Sequence, residues 1–443
     1  MIKFLRSYYP ANRLFIILVI ISALYVIGFF AEIFFYFANF VLISTLVLAI
    51  YEIIRLYSVS AISAYRILPE KLSNGDENLI QVNIVNHYKF NTVCELVDEI
   101  PFQFQKRDFS IIKTLSSGKQ ETISYTLRPT ERGNYIFGNL NIFVSTKLGL
   151  GKRRFTFSGG AEVPTYPSFL KLKHYEMIAI TNKLVNPGIK EVRKLGHSME
   201  FEHVRDYRTG DDYRTINWKA TARKSELMVN QYIDERSQNI FSVIDMGRNM
   251  KMPFAGLTLL DYSINSALAM SSIILKKYDK AGLLTFSKDV HSFLPAINHT
   301  SQMPQIMEML YRAETNFAET SFEHLYSFIR RKIPHRSLLM IYTNFETLDS
   351  MRRNLEYLKL IAKFHLPLVI FFDNTEVSNM LYETPKKTFD IYRKVTAEQY
   401  MIDKYEIINE LRANGIISMI SKPENLTLDS INKYLEIKSR RII

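Results

Sequence analysis

Residues 14–30, LFIILVIISALYVIGFF, and 33–51, IFFYFANFVLISTLVLAIY, hold no charged side chain, and only Ala31 and Glu32 separate them. A single helix over 14–51 would run ~57 Å, about twice the ~30 Å hydrocarbon core of a bilayer. The pattern therefore predicts two spans in a hairpin. A cleaved secretory leader is not expected, because no small-residue cleavage site follows the first stretch and a second apolar stretch comes at once. Lys3, Arg6 and Arg13 precede the hairpin, Arg55 and Arg66 follow it, and the connection holds only Glu32. By the positive-inside rule both ends, and with them the bulk of the chain, are expected in the cytoplasm.

With 443 residues the chain is too long for one typical domain and is expected to hold two or three. One cysteine, Cys94, allows no intramolecular disulfide. A net charge of +12 suits an anionic partner, but the excess is spread along the chain, and no nucleic acid is expected. After residue 60 the apolar period changes to two: Ile80, Val82 and Ile84 alternate with polar residues, as do Ile123, Tyr125 and Leu127, with SNGD and SSGK as turn signals. This predicts a small antiparallel β-sandwich over 61–165. Gly149-Leu150-Gly151-Lys152 lacks the spacing of a phosphate loop, and a strand pattern follows it instead of a helix.

Residues 239–443 alternate strand and helix. Strand runs stand at NIFSVIDMG, AGLLTFS, SLLMIYTNF, LPLVIFF and GIISMIS, with helical stretches at 256–279, 302–313, 320–332, 349–364, 397–413 and 425–437. That order predicts a parallel, doubly wound α/β sheet, whose functional residues gather outside the strands' carboxyl ends. The rule points to Asp245-Met246-Gly247-Arg248-Asn249-Met250 and to Thr343-Asn344. This arrangement resembles a von Willebrand factor A domain, with its D-x-S-x-S metal motif and its later threonine and aspartate. Asp245 matches; Gly247 and Asn249 stand for the two serines, Thr320 is the candidate threonine, and Asn344 falls at the later aspartate. A divalent ion needs several oxygen ligands, so the site is expected to be degenerate and to hold no metal.

Between these domains, 166–238 reads as a linker around EFEHVRDYRTGDDYRTINWKATAR (200–223), with five acidic and five basic residues about the one tryptophan. Arg205, Tyr207, Gly210, Asp211, Arg214, Ile216, Trp218, Ala222 and Arg223 resemble the signature of the bacterial domain of unknown function 58 family. Arg132-Gly133-Asn134-Tyr135, Gly138 and Leu148-Gly149-Leu150 resemble a second family stretch, with Thr146-Lys147 where Asp-Pro often stands. The resemblance implies a multi-pass protein of the bacterial inner membrane, working beside a MoxR-type AAA+ ATPase in assembling or maturing other proteins. Read physically, the stretch is an interdomain strap, a docking face, or both, with Trp218 as a buried anchor and Arg208 and Asp212 pointing outward. His197, Glu200, Glu202 and His203 match no helical zinc spacing, and there is no nucleophile elbow, Rossmann fingerprint or Walker motif. No catalytic residue and no cofactor are expected. A membrane-recruited nucleic-acid binder and a hydrolase using the α/β crevice are the alternatives to an adaptor.

Overall fold

The structure is a computed structural model that describes residues 7–58, 62–181, 199–208, 211–234, 237–315, 317–345, 347–373, 377, 387–440 and 442. The chain divides into two compact units, Met1–Leu170 and Lys171–Ile443.

After a short strand, Tyr8–Pro10, the first unit continues into two apolar helices, α1 (Asn12–Gly28) and α2 (Glu32–Tyr57), packed as a hairpin. A β-carbon on Gly28 would lie 2.9 Å from the Phe35 backbone nitrogen, so a larger residue there would push the helices apart. Tyr25 Oη donates to Asn39 Oδ1 across the pair at 2.9 Å. By length and composition α2 is apolar enough to cross a membrane; α1, with 17 residues, is the shorter apolar helix. Both leave large apolar side chains uncovered by protein, up to Phe29 and Phe30 at the turn.

Helix α2 runs six residues beyond the apolar stretch read from the sequence, and this extension fastens it to the β-structure that follows. The Glu52 carboxylate is 1% exposed and accepts from Thr146 Oγ1 (2.6 Å), Leu150 N (2.9 Å) and Gly151 N (3.2 Å). An acid this deep is tolerated because each oxygen has a donor. Arg13 donates to the carbonyls of Lys147 and Leu148, and Arg153 to that of Leu56. The Leu148-Gly149-Leu150-Gly151 turn is thus a socket for the hairpin's base, and Gly149 supplies its positive φ of 68°.

The β-structure comprises a five-stranded sheet and two three-stranded sheets, antiparallel apart from a two-residue parallel pairing of Leu72–Ser73 with Ala161–Tyr166. All three contribute to one core that includes Ile80, Val82 and Ile84, Leu96, Ile142, Val144, Tyr135 and Phe137. Cys94 lies inside it, where burial pushes its thiol up to about 11.

The second unit centres on a six-stranded sheet: β1 (Asn239–Asp245), β2 (Lys280–Phe286), β3 (Val290–Ile297), β4 (Leu338–Tyr342), β5 (Leu366–Phe372) and β6 (Ile417–Ser421). Their order is β3-β2-β1-β4-β5-β6. Five strands are parallel, and β3 pairs antiparallel with β2, so the sheet is mixed. The sequence reading missed β3, whose interior Pro295 and alternating exposure mark an edge strand.

Nearly continuous apolar runs make β1, β2, β4 and β5 buried on both faces. Helices cover the sheet: α3 (Leu172–Thr181) packs against α5 (Leu259–Lys276), followed in the chain by α6 (Gln302–Arg312), α7 (Phe322–Lys332), α8 (Leu348–Ala362), α9 (Thr388–Ala413) and α10 (Leu426–Ser439), with the short α4 (Trp218–Lys224) preceding α5. Thr258 and Asp261 form a capping box at the start of α5. Within the stretch read as a linker, α3 and a two-stranded ladder, Met199–Asp206 with Met228–Asp234, are ordered parts of this unit.

Candidate functional site

Strand order reverses beside β1, because the chain leaves it for β2 on one side and reaches β4 on the other only later. A crevice opens at such a point, outside the carboxyl ends of the strands. Asp245 closes β1, Thr343 and Asn344 follow β4, and the cleft there has a volume of about 380 Å³.

Asp245, 2% exposed, organises its floor. Its Oδ1 accepts from Gly247 N (2.8 Å) and Thr320 Oγ1 (2.7 Å), and its Oδ2 from Thr343 Oγ1 (2.7 Å). Burial pushes the carboxyl above its ordinary value, against the pull of those three hydrogen bonds. Thus Asp245, Gly247 and Thr320 meet directly, as does Thr343. Asn249 touches the group more loosely, donating to the Asn344 carbonyl at 3.4 Å.

Asn344 is held by a residue that sequence reasoning missed. Lys404, 2% exposed on α9, donates to Asn344 Oδ1 (2.6 Å) and to the Phe345 carbonyl (2.7 Å). An ammonium only donates, so it fixes which way the amide faces. Asn344 Nδ2 is then left buried with no hydrogen-bond partner. Nothing in the local pattern around Lys404, an ordinary helical stretch, signals that its head is buried.

These residues do not fit a divalent cation. Both Asp245 oxygens are taken by direct donors, and Asn344 Oδ1 faces an ammonium. A β-carbon at Gly247 would sit 2.1 Å from Thr320 Oγ1, so a serine ligand there would have to displace Thr320. The oxygen-rich shell of a hard cation is absent from this arrangement.

The charged stretch makes a second candidate. Arg205 grips Asp211 with both ends of its fork, at 2.7 and 2.8 Å, and holds that carboxyl below its usual value. Arg208 N also donates to Asp211. Asp212 caps the turn Tyr213–Thr215 through Arg214 N, and Asn217 caps α4 through Ala220 N. Tyr207 N bonds the Leu227 carbonyl, and Lys224 pairs with Asp206. Gly210 and His197, and the side chains of Glu200, Glu202 and His203, lie outside the described residues.

The expectation that Trp218 is a buried anchor is overturned: it is 69% exposed, and Tyr213 is 70% exposed. The reason lies in the phase of α4. Asn217, Ala220 and Thr221 take the half-buried positions, so Trp218, Lys219, Ala222 and Arg223 face outward. Arg208, Asp212 and Arg214 are exposed as well.

Residues 203–376 match the family described as "Protein of unknown function DUF58". This segment is similar to that family. It takes in the charged stretch from His203 onward, β1 to β5, and the crevice except for Lys404. The uncharacterized protein YeaD of Bacillus subtilis (strain 168) is 25% identical over 174 residues, 39% of this chain and 41% of that protein. The chain therefore spans about two fifths of that curated relative. Among solved structures, BatB from Bacteroides thetaiotaomicron is 12% identical, covering 46% of this chain and all of that one, at a TM-score of 0.27. An aerotolerance-related membrane protein from Bacteroides fragilis NCTC 9343 is 11% identical, covering 44% of this chain and 98% of that one, at 0.24.

Proposed function

We propose that this chain is a membrane-anchored adaptor with no catalysis of its own. In this reading α1 and α2 enter a bacterial inner membrane as a two-span hairpin, and both units lie in the cytoplasm. The uncovered apolar surface of the hairpin and the basic residues at its base support this. The second unit is read as a von Willebrand factor A-like domain whose metal site is degenerate.

The observation that carries the adaptor reading is Trp218, a large exposed aromatic at the start of α4, with Tyr213, Arg214 and Arg223 exposed close to it in sequence and a turn held by the Arg205–Asp211 pair just before it. Tryptophan, tyrosine and arginine dominate the energetics of protein interfaces, and a pre-ordered frame lowers the entropy lost on docking. The partner proposed from the family resemblance is a MoxR-type AAA+ ATPase. Its recovery with the full-length protein from membranes tests the reading. Trp218→Ala should reduce recovery at least ~10-fold while the protein still inserts and folds. Undiminished recovery would sink the docking role of this face.

A further inference from the structure

We propose that the cleft between the ends of β1 and β4 binds a single carboxylate, the side chain of an aspartate or glutamate on a protein partner, without a metal ion. Three features converge there. Asn344 Nδ2 is a buried donor with no partner, on a side chain that lines the cleft and is itself 2% exposed. A buried donor left unpaired is costly, and an incoming oxyanion would satisfy it. Arg248 and Arg353 also line the cleft, both exposed, and neither guanidinium is ion-paired among the described residues. The 15-residue α8 begins at the same wall, with Thr347 and Ser350 in the lining, so its amino-terminal dipole favours an anion.

The charge count selects the kind of anion. Two arginines of the lining and the Lys404 ammonium behind Asn344 face two acids of the lining, Glu319 and Asp245, which leaves one positive charge for the guest. Asp245 is already engaged by three donors. A carboxylate brings one negative charge and a planar pair of oxygens that matches a guanidinium fork. A phosphate dianion would meet Glu319 and Asp245 with twice the repulsion. Asp349, in the first turn of α8, is not part of the lining. In place of a bound cation, the buried Lys404 ammonium holds Asn344 so that its amide can donate.

The test uses the full-length protein in detergent at low salt with EDTA, and fluorescence anisotropy of a labelled tetra-aspartate peptide, with tetra-asparagine as the uncharged control. The aspartate peptide should bind at least ~10-fold more tightly than the control, and Arg248→Glu and Arg353→Glu should each weaken it ~10-fold or more. Asn344→Asp, which turns the free donor into an acceptor and leaves Lys404 its partner, should weaken it comparably. Lys363→Glu, the same charge change at the other end of α8, should stay within about twofold, which separates the cleft from general attraction to a basic protein. The proposal is overturned if the four variants behave alike, if binding needs magnesium, or if inorganic phosphate competes at lower concentration than acetate. Its failure is distinct from failure of the adaptor reading, which is scored by recovery of the ATPase and its loss in Trp218→Ala.

Discussion

At Asp245 a carboxylate 2% exposed is shared among one backbone N–H and two threonine hydroxyls, whereas at Asp211 a carboxylate nearer the surface is shared between the Arg205 guanidinium and the Arg208 N–H. Both accept three hydrogen bonds, yet they answer to different energetics. The first group has lost its water and depends on every donor that replaced it. The second keeps water within reach, so its ion pair contributes little to folding and serves mainly to fix a shape. The difference suggests a division of labour, with one cluster holding the unit together and the other presenting Trp218.

The most forceful way to break this comparison is to truncate one residue from each cluster. Asp245→Ala strands the Gly247 N–H and both threonine hydroxyls in a buried space and should lower stability by ~3 kcal/mol. Trp218→Ala removes a larger side chain, but one 69% exposed, and should cost ~0.5 kcal/mol or less. Thermal melting of the two variants side by side measures this, and Cys94, buried in the other unit, gives an internal control because its thiol should label only when that core opens. Equal melting temperatures for the two variants would erase the distinction.

What the sequence made legible follows the same division. Asp245 and Thr343-Asn344 could be placed because strand-end positions are set by topology, and topology is written in the alternation of apolar runs. The antiparallel β-sheets were legible at Ile80, Val82 and Ile84 for the equivalent reason, a period of two. Glu52 was not, since an acid just after an apolar stretch looks like the end of a span, and its donors lie some hundred residues away in the Leu148–Gly151 turn. Lys404 was hidden likewise, as its acceptors lie 60 and 59 positions earlier. Trp218 was misread because hydrophobicity suggests burial, whereas helix phase decides it.

A gentler change sharpens the first cluster. In Asp245→Asn the amide oxygen keeps the Gly247 and Thr320 donors, and the new N–H₂ donates to the Thr343 hydroxyl, so packing is conserved. Burial raises the Asp245 carboxyl in the folded state, so the ionised acid weighs against folding. The sign follows: wild-type stability from this group is greatest at low pH, below the unfolded carboxyl value, and declines as pH rises through the raised folded value. The asparagine variant lacks that decline. Its melting temperature should approach or exceed wild type toward neutral pH and fall behind in acid. A gap that widens toward neutral pH against the variant would show that the charge is needed and the cluster misjudged.

The smallest expected effect is that of magnesium. A ligand stabilises the folded state only as far as it occupies it, and at Asp245 every oxygen already has a protein donor while Gly247 leaves no room for a side-chain ligand beside Thr320. Millimolar magnesium should therefore shift the melting temperature by less than ~1 °C relative to sodium chloride of matched ionic strength. The salt match matters because the Arg205–Asp211 pair is partly exposed and is screened by any electrolyte, so a drift caused there would appear with both salts. A magnesium-specific rise of several degrees that vanishes in Asp245→Ala would mean that the threonine hydroxyls yield to a cation. The buried cluster would then be a working metal site, and the carboxylate cleft above it would have to be reconsidered as a metal-bridged one.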